Sequence, residues 1–344
     1  MAAPRPSRRV SADPSIPSVI AGARTWVITD GKAGDENQCL GIAETLGLAV
    51  EIKRLEARPP FDWLAPWGPI DPRDAPGRAG GALAGPLPGL VIASGRRAAP
   101  YLRAVRRASL GRTFTAFLKD PRTGTASADF IWVPDYDDLR GGNVLTSATP
   151  PHRVTSERLR AARTDPDPRL AILPHPRVAV LVGGDSRHLR FAPADIVRLA
   201  DDLRALSAAG ASLMLTISRR TPPALRIALL ALATERPAFF WDGSGDNPYV
   251  AMLALADAVV VTSDSANMVG EAVSTGAPVL LFELPGTYAR HRRFFAGLRA
   301  AGALAPFTGR FEMLHYAPID ATPYIAQRLA DAYIRHQARI ASSR

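Results

Sequence analysis

Cysteine, lysine and long apolar runs are nearly absent from this 344-residue chain, and each absence narrows the range of functions. A single cysteine, Cys39, excludes an intrachain disulfide and a cysteine metal cluster. No apolar run approaches the ~18–20 residues that span a bilayer, so we expect no transmembrane helix. The segment 1–22 is basic and proline-rich but lacks the apolar core of a secretory signal. We predict that it is a disordered tail and that the protein is not secreted.

The six histidines lack the spacing of metal ligands, so we predict no metal and no other cofactor. The net charge is +10, and all but three of the 42 basic residues are arginine. No zinc-finger, helix-turn-helix or RNA-binding motif accompanies this charge, so we predict no nucleic-acid partner. A basic surface favours other anionic partners, such as phosphates or acidic lipid headgroups. We therefore expect a cytoplasmic protein that associates with a membrane at most peripherally.

Short apolar strands alternate with helical patterns along most of the chain, which is typical of parallel sheets covered on both faces. The length is too great for one ordinary core. We predict an α/β fold of two Rossmann-like, doubly wound domains that face each other across a cleft. The first domain is predicted at 23–163 and the second at 177–320, joined by a linker at 164–176. A last helix, within 321–344, is expected to cross back to the first domain.

A proline- and glycine-rich segment at 57–89 takes the place of a helical crossover in the first domain. It contains an apolar cluster formed by Phe61, Trp63, Leu64 and Trp67. One interpretation is that this cluster packs on the edge of its own domain. The other is that it contacts a membrane surface or a partner.

The stretch TWVITDGKAGDENQCLGIAETLG, residues 25–47, has the pattern of a strand, a glycine loop and a helix. Gly31 and Gly34 allow a tight turn and close approach of a ligand. Asp35 is predicted to cap the helix. Lys32 lacks the spacing of a P-loop lysine. Acidic residues at the start of the helix favour a sugar or another hydroxyl-bearing acceptor over a phosphate at this point.

Four strands of the second domain end in loops of small, polar and basic residues. These loops contain Gly183, Gly184, Asp185, Ser186 and His188, then Ser218, Arg219, Arg220 and Thr221, then Asn247, and finally Ser263, Asp264, Ser265 and Asn267. The carboxyl ends of parallel strands line the ligand crevice in folds of this class. Paired arginines there suit a pyrophosphate; a surface arginine pair without a ligand is the alternative. The loop with Asn247 could hold a base or a ribose, but turn chemistry explains it equally well.

The stretch SDSANMVGEAVSTGAPVL, residues 263–280, contains a single acidic residue within a predicted helix, Glu271. Ser263, Asp264 and Ser265 stand where an N-cap belongs, and a helix start is a ready anion site. Glu271 lies roughly 9 Å further along the helix axis, at about 1.5 Å per residue. This spacing suits a phosphorylated sugar whose hydroxyls donate to the carboxylate. A solvated glutamate on an amphipathic helix is the alternative.

Four motifs together resemble the elongate-mitochondria, or mitochondrial fission, family, which has plant and bacterial members. They are WVITDGKAGDENQCLGIAETLG, VLVGGDSRH, TISRRTP and VVTSDSANMVGEAVSTGAPVLLFELPG. In plants, members of this family are implicated in mitochondrial division through recruitment of a dynamin-related protein. The resemblance thus implies a non-catalytic adaptor, docked on a membrane or a partner, as one function.

The last motif also resembles the second domain of GT-B glycosyltransferases, in particular the enzyme that adds N-acetylglucosamine during lipid II synthesis. In that family a glutamate one turn into the helix holds the ribose hydroxyls of a nucleotide sugar, and Glu271 is the matching residue. Ser263, Ser265 and Asn267 match the phosphate side, and Gly183 and Gly184 match the glycine loop after the first strand of the domain. The glycine–histidine loop of that enzyme is replaced here by GKAG, so its base is missing or replaced, with Asp30 or Asp35 as the nearby candidates.

The resemblance therefore implies a nucleotide-sugar-binding GT-B-like protein and a glycosyltransferase that acts by direct displacement. Its substrate would be a nucleoside diphosphate sugar, with a membrane-linked acceptor fitting the basic surface. Arg219, Arg220 and the helix start at Ser265 would stabilise the leaving diphosphate, and Gly31, Lys32 and Gly34 would add contacts. Asp30, Asp35 or His188 would deprotonate the acceptor. A nucleotide-sugar epimerase is a further alternative.

Overall fold

The computed structural model describes residues 18–56, 58–186 and 189–342. Within these ranges the chain forms two compact units. One unit extends to Arg153 and resumes at Ala321, and the other is Val154–Asp320. In the described residues, each unit is built on its own parallel sheet of six strands.

The sheet of the first unit has the strand order β2-β1-β3-β4-β5-β6. Its strands are β1 (Thr25–Thr29), β2 (Val50–Arg54), β3 (Leu90–Ser94), β4 (Phe114–Leu118), β5 (Phe130–Pro134) and β6 (Val144–Ser147). The helices before the second unit are α1 (Ser18–Ala21), α2 (Ala33–Thr45), α3 (Phe61–Leu64) and α4 (Ala98–Ala108). Two short 3₁₀ turns lie at Pro72–Asp74 and Thr125–Ser127.

Alternate side chains of these strands enter two separate cores, as expected for a sheet covered on both faces. Val27 lies in the core beneath α2, together with the thiol of Cys39. Trp26 and Ile28 point to the opposite face, where Leu102 of α4 covers them. Cys39 is fully buried and packs as a small core residue.

The sheet of the second unit has the strand order β12-β11-β10-β7-β8-β9. Its strands are β7 (Arg177–Val182), β8 (Ser212–Ile217), β9 (Ala238–Trp241), β10 (Ala258–Thr262), β11 (Val279–Phe282) and β12 (Leu304–Pro306). Its helices are α5 (Ser156–Thr164), α6 (Pro168–Ala171), α7 (Pro193–Ala208), α8 (Pro223–Glu235), α9 (Tyr249–Leu255), α10 (Ala266–Val273) and α11 (Ala289–Ala300). The chain winds outward from β7 to β9 and then returns to place β10 on the other side of β7. The topological switch point is therefore between β7 and β10.

The last helix, α12 (Thr322–Ser342), belongs to the first unit. Its buried Ile325, Leu329 and Tyr333 join the core that contains Phe114. The ring of Tyr333 meets that of Phe114 edge to face at 5.7 Å. Burial of these large side chains fixes α12 on the first sheet.

The domain boundary that we predicted from the sequence differs from the structure between residues 154 and 176. The segment 154–163, which we expected in the first domain, packs in the second unit. The segment 164–176, expected as a linker, contains α6. The reason is tertiary: Leu159 and Leu170 are buried, and the Arg163 guanidinium donates to the carbonyl of Ala254 at 2.9 Å.

The predicted tail, 1–22, lies outside the described residues as far as residue 17. Its end does not fit the prediction, because Ser18–Ala21 is helical and Ile20 is fully buried. The predicted α/β class with two doubly wound sheets is confirmed. Among the described residues, no helix has both the length and the apolarity needed to cross a bilayer.

Candidate functional site

The loops that follow β7 and β10 meet at the switch point of the second sheet. The amide of Gly183 donates to Thr262 Oγ1 at 2.9 Å, and the amide of Gly184 donates to Asp264 Oδ2 at 2.9 Å. Thr262 Oγ1 donates in turn to Asp264 Oδ1 at 2.7 Å. The Asp264 side chain is therefore beneath the glycine loop and fully buried. Burial raises the pKa of this carboxyl above its ordinary value.

Two glycines are required here by contacts inside the protein. A methyl group on Gly183 would overlap the carboxylate of Asp264. A methyl group on Gly184 would overlap the backbone of Arg220. The small residues thus let three loops of the protein approach one another, and the Asp264 side chain is buried beneath them. The ligand contact that we predicted for the two glycines stays a prediction.

The loop after β8 is tied to the glycine loop by its hydroxyl groups. Thr221 Oγ1 donates to the carbonyl of Gly183 at 2.5 Å and accepts from the amide of Ser218 at 2.9 Å. Ser218 Oγ accepts from the amide of Arg220 at 3.1 Å. Ser218 and Thr221 therefore hold the framework of the site, whereas we had predicted that they contact the ligand.

Asp185 and Ser186 also have partners within their own loop. Asp185 Oδ1 accepts from the amide of Phe191 at 3.0 Å, and Ser186 Oγ accepts from the amide of Leu189 at 3.1 Å. His188, which we predicted as an acid or base, lies outside the described residues.

The two arginines predicted for the diphosphate are both exposed at the carboxyl end of β8. The Arg220 guanidinium is 3.7 Å from Asp264 Oδ2 and donates to the carbonyl of Asp185 at 3.2 Å. Arg220 is therefore next to the residue that directly precedes the N-cap of α10. Arg219 is on the same loop and faces solvent. The structure thus brings a cation close to the start of α10.

Ser265 is the N-cap of α10, and its hydroxyl accepts from the amide of Met268 at 3.4 Å. Asn267 is half-buried in the first turn of the helix. Ser263 differs from our prediction for the phosphate side, because its side chain is completely buried. Its hydroxyl pairs with Thr287 Oγ1 at 3.0 Å and accepts from the amide of Leu284 at 3.0 Å. Ser263 therefore anchors the loop after β11.

Glu271 is only 8% exposed, so the interpretation as a solvated surface glutamate is wrong. The phenol of Tyr249 donates to Glu271 Oε2 at 2.6 Å. Burial raises the pKa of Glu271 to about 7, and the hydrogen bond from Tyr249 opposes part of this rise. Burial, and then the adjacent Glu271, raise the pKa of Tyr249 well above its usual range, so the phenol keeps its proton.

Tyr249 is the residue that our sequence reasoning missed in this unit. It is the first residue of α9, and the Asn247 side chain accepts from its amide at 3.0 Å. Its position directly after a loop at a strand end was visible in the stretch DNPYVAML. The hydrogen bond to Glu271 could not be predicted, because the two residues are 22 positions apart and lie on different helices.

The glycine loop of the first unit is arranged differently from our prediction. Helix α2 begins at Ala33, with Lys32 as N-cap, so Gly34 and Asp35 lie inside its first turn. Asp35 does not cap the helix. Its buried carboxylate accepts from Ser94 Oγ at 3.2 Å and from the ammonium group of Lys119. Lys119, directly after β4, is a second residue that we missed.

Asp30 directly follows β1, and its side chain is 1% exposed. Asp30 Oδ2 accepts from Lys32 Nζ at 2.5 Å, and the Arg97 guanidinium is 3.6 Å away. Gly31 has a φ of +75°, so the turn at this point needs its conformational freedom. Asp30 and Asp35 are thus both paired with cations in this unit. In the described part of the chain, no group of three or more metal-ligating side chains is present.

A model of the family described as Mitochondrial fission ELM1 matches residues 33–333. The chain belongs to the mitochondrial fission ELM1 family. The mitochondrial fission protein ELM1 of Arabidopsis thaliana is 28% identical over 272 residues, which are 71% of this chain and 63% of the plant protein. An uncharacterized protein of Rickettsia prowazekii, RP120, is 29% identical over 159 residues, which are 43% of this chain and 44% of that protein. This ELM1-family chain thus spans less than two thirds of the length of these two relatives.

Solved structures show the fold of this ELM1-family chain. The UDP-GlcNAc 2-epimerase of Methanocaldococcus jannaschii, in complex with UDP-GlcNAc and UDP, is similar with a TM-score of 0.52 and 10% identity, over 91% of this chain and 99% of that one. The UDP-GlcNAc 2-epimerase of Neisseria meningitidis, bound to UDP-GlcNAc, is similar with a TM-score of 0.50 and 10% identity, over 90% of this chain and 93% of that one. The GT-B-like fold is therefore confirmed, and so is the resemblance to the fission family.

Proposed function

We propose that the second unit binds a nucleoside diphosphate sugar at α10, and that the protein is a glycosyltransferase acting by direct displacement. Glu271 would accept from the pentose hydroxyls, while Arg220, Arg219 and the start of α10 would neutralise the diphosphate. The observation that carries the proposal is the buried carboxyl group of Glu271, with its pKa raised to about 7.

Burial of this carboxyl group costs stability, and among the described residues no cation pairs with it. Its hydrogen-bond partner, Tyr249, is a neutral phenol. A buried carboxyl group without a cationic partner is typical of a functional site. Hydroxyl donors of a ligand would satisfy the carboxylate with charge-assisted hydrogen bonds.

The positive groups next to this acid suit a diphosphate. Arg220 is held over Asp264, which precedes the N-cap residue Ser265. Backbone amides at a helix start attract anions, and arginine matches phosphate oxygens in a bidentate manner. Asp264 offsets part of the charge of Arg220, and the exposed Arg219 adds a second cation to the loop.

A thermal-shift screen with UDP, GDP and UDP-GlcNAc tests the binding step. At a concentration 100 times Kd, a ligand of the folded state adds about 2.7 kcal/mol of stability, so the melting temperature should rise clearly. Glu271→Ala should abolish the rise. Glu235→Ala, which removes an exposed glutamate at the end of α8, is the matched control and should leave the rise unchanged. No rise with any nucleotide would refute the proposal.

A turnover assay separates the transferase from its alternatives. Release of UDP from UDP-GlcNAc supports transfer or donor hydrolysis, whereas inversion at the sugar without UDP release identifies an epimerase. The double variant Asp30→Asn and Asp35→Asn should abolish turnover but keep the nucleotide-dependent thermal shift. If this variant turns over normally, neither carboxylate activates the acceptor. Binding without any turnover would favour a non-catalytic adaptor.

A further inference from the structure

Two tryptophans of the first unit are exposed to solvent on a segment whose backbone is held by neighbouring arginines. Trp63 is 72% exposed and Trp67 is 69% exposed, and Leu64 between them is 48% exposed. The interpretation that this cluster packs on the edge of its own domain is therefore wrong for these three side chains. Exposed aromatic side chains grouped in this way indicate an interaction surface.

Arginines of α4 and of the turn before it hold this segment in place. The Arg97 guanidinium donates to both carboxylate oxygens of Asp62, at 2.8 Å for Oδ2. Arg96 donates to the carbonyl of Ala65. Arg103 donates to the carbonyls of Trp67 and Gly68, at 3.2 Å each. The backbone around the tryptophans is thus fixed, while their rings remain exposed.

Basic residues continue from this segment along α4. Arg107 is one helical turn beyond Arg103, and Leu110, after the end of α4, is 80% exposed. One groove beside α4 is lined by Arg103, Arg106, Arg107 and Leu110. We call these four residues, with Trp63, Leu64 and Trp67, the arginine–tryptophan face.

The arginine–tryptophan face has a net positive charge, because the acidic groups beside it do not balance its arginines. Asp129, the partner of Arg106 at 3.0 Å, is 10% exposed. Burial, and then the charge of the nearby Arg107, lower the pKa of Arg103. The positive charges of these two arginines therefore lie close together.

We propose that the arginine–tryptophan face docks on the surface of an anionic lipid bilayer. Tryptophan favours the interface between water and hydrocarbon, and arginine favours anionic headgroups. An acidic nucleic acid would satisfy the arginines but would leave Leu64 and Leu110 exposed. The proposal is independent of nucleotide-sugar binding, since all of these residues belong to the first unit.

Co-sedimentation of the full chain with vesicles is the first test. Binding is expected to vesicles of phosphatidylcholine that contain 30 mol% phosphatidylglycerol, and to be weak for phosphatidylcholine alone. It should weaken when salt shortens the screening length from ~10 Å at 0.1 M to ~3 Å at 1 M. The variant Arg107→Glu should reduce the affinity at least about fivefold, because each basic residue near such a surface contributes roughly fivefold.

A matched control separates this face from general charge attraction. Arg236→Glu changes the net charge by the same amount but is at an exposed position of the second unit. This control variant should bind almost as wild type does. Equal losses in the two variants would overturn the proposal.

The tryptophans provide a second readout. Trp26 and Trp132 are buried, and Trp241 is partly exposed in the second unit. A blue shift of fluorescence on vesicle addition that is lost when Trp63 and Trp67 are replaced therefore reports on these two rings. The variant Trp63→Ala and Trp67→Ala should lose the blue shift and bind at least about tenfold more weakly. Ile172→Ala and Ile227→Ala, which remove side chains that are 80% and 69% exposed in the second unit, should change neither. An unchanged melting temperature would show that each variant is folded.

Three results would overturn the proposal. One is the absence of binding to anionic vesicles at low salt. Another is vesicle binding that the tryptophan variant retains in full. The third is tighter binding to duplex DNA than to anionic vesicles without a fluorescence blue shift, which would identify a nucleic-acid surface instead.

Discussion

Replacement of Glu271 by glutamine should stabilise the protein at neutral and alkaline pH. The pKa of this buried carboxyl group is raised from 4.5 to about 7 in the folded state. The folded protein therefore holds a proton between these values that the unfolded chain has released. Stability then falls as the pH rises from about 4.5 to about 7 and stays constant above it. A shift of this size costs about 3 kcal/mol at pH 8, at about 1.4 kcal/mol per unit.

The glutamine variant has no proton to lose and avoids this cost. We expect the variant's free energy of unfolding to exceed that of wild type by an amount that grows by about 2–3 kcal/mol between pH 5 and pH 8. For a unit of this size, the melting temperature would change by about 5–10 °C relative to wild type. Differential scanning calorimetry of both proteins across this range measures the effect. Glu235→Gln, which replaces an exposed carboxyl group, should show no such growth.

Parallel pH profiles of wild type and Glu271→Gln would refute this reasoning. They would mean that Glu271 titrates near its ordinary pKa, and that water or movement of Tyr249 relieves its burial. A profile in which the variant loses its advantage as the pH rises would contradict the sign of the linkage.

Three further predictions concern the same unit. Tyr249→Phe removes the hydrogen bond that lowers the pKa of Glu271, so the midpoint of the wild-type stability profile should move to higher pH in the same calorimetric series. Gly183→Ala should lower the free energy of unfolding by about 1–3 kcal/mol in urea, because the methyl group would overlap Asp264. Gly297→Ala, in an open position of α11, is its control and should add about 0.5–1 kcal/mol. In calorimetric titrations, the affinity for UDP-GlcNAc should rise up to about tenfold between pH 6 and pH 8, as expected for a site that needs the ionised carboxylate with a pKa of about 7. A pH dependence that persists in Glu271→Gln would assign this proton to another group.

The strands were the most predictable part of the fold. The apolar run AVVVT between polar residues indicates a buried parallel strand, and β10 has these bounds. In contrast, α5 was missed because its sequence, SERLRAART, is almost entirely polar and buries only Leu159. The strand β12 is three residues long, which is too short for periodicity to indicate it.

The candidate site shows where sequence reasoning reaches its limit. The pattern of small and polar residues at strand ends predicted a ligand crevice there, but it could not show what each side chain contacts. Ser263 forms a hydrogen bond with Thr287, which is 24 residues away in the sequence. Asp264 accepts from the amide of Gly184, which is 80 residues earlier. Only the packed sheet brings these partners together. The burial of Glu271 likewise depends on α9, which supplies Tyr249.

The most direct test of the account is a cycle of calorimetric titrations with UDP and 2′,3′-dideoxy-UDP, on wild type and on Glu271→Ala. If Glu271 holds the pentose hydroxyls, their removal should weaken binding to wild type by about 10–100-fold, which corresponds to charge-assisted hydrogen bonds of about 1.5–3 kcal/mol. The same change in ligand should have little effect on Glu271→Ala. Equal losses for both proteins would contradict the account, since the hydroxyls and the carboxylate would then act independently.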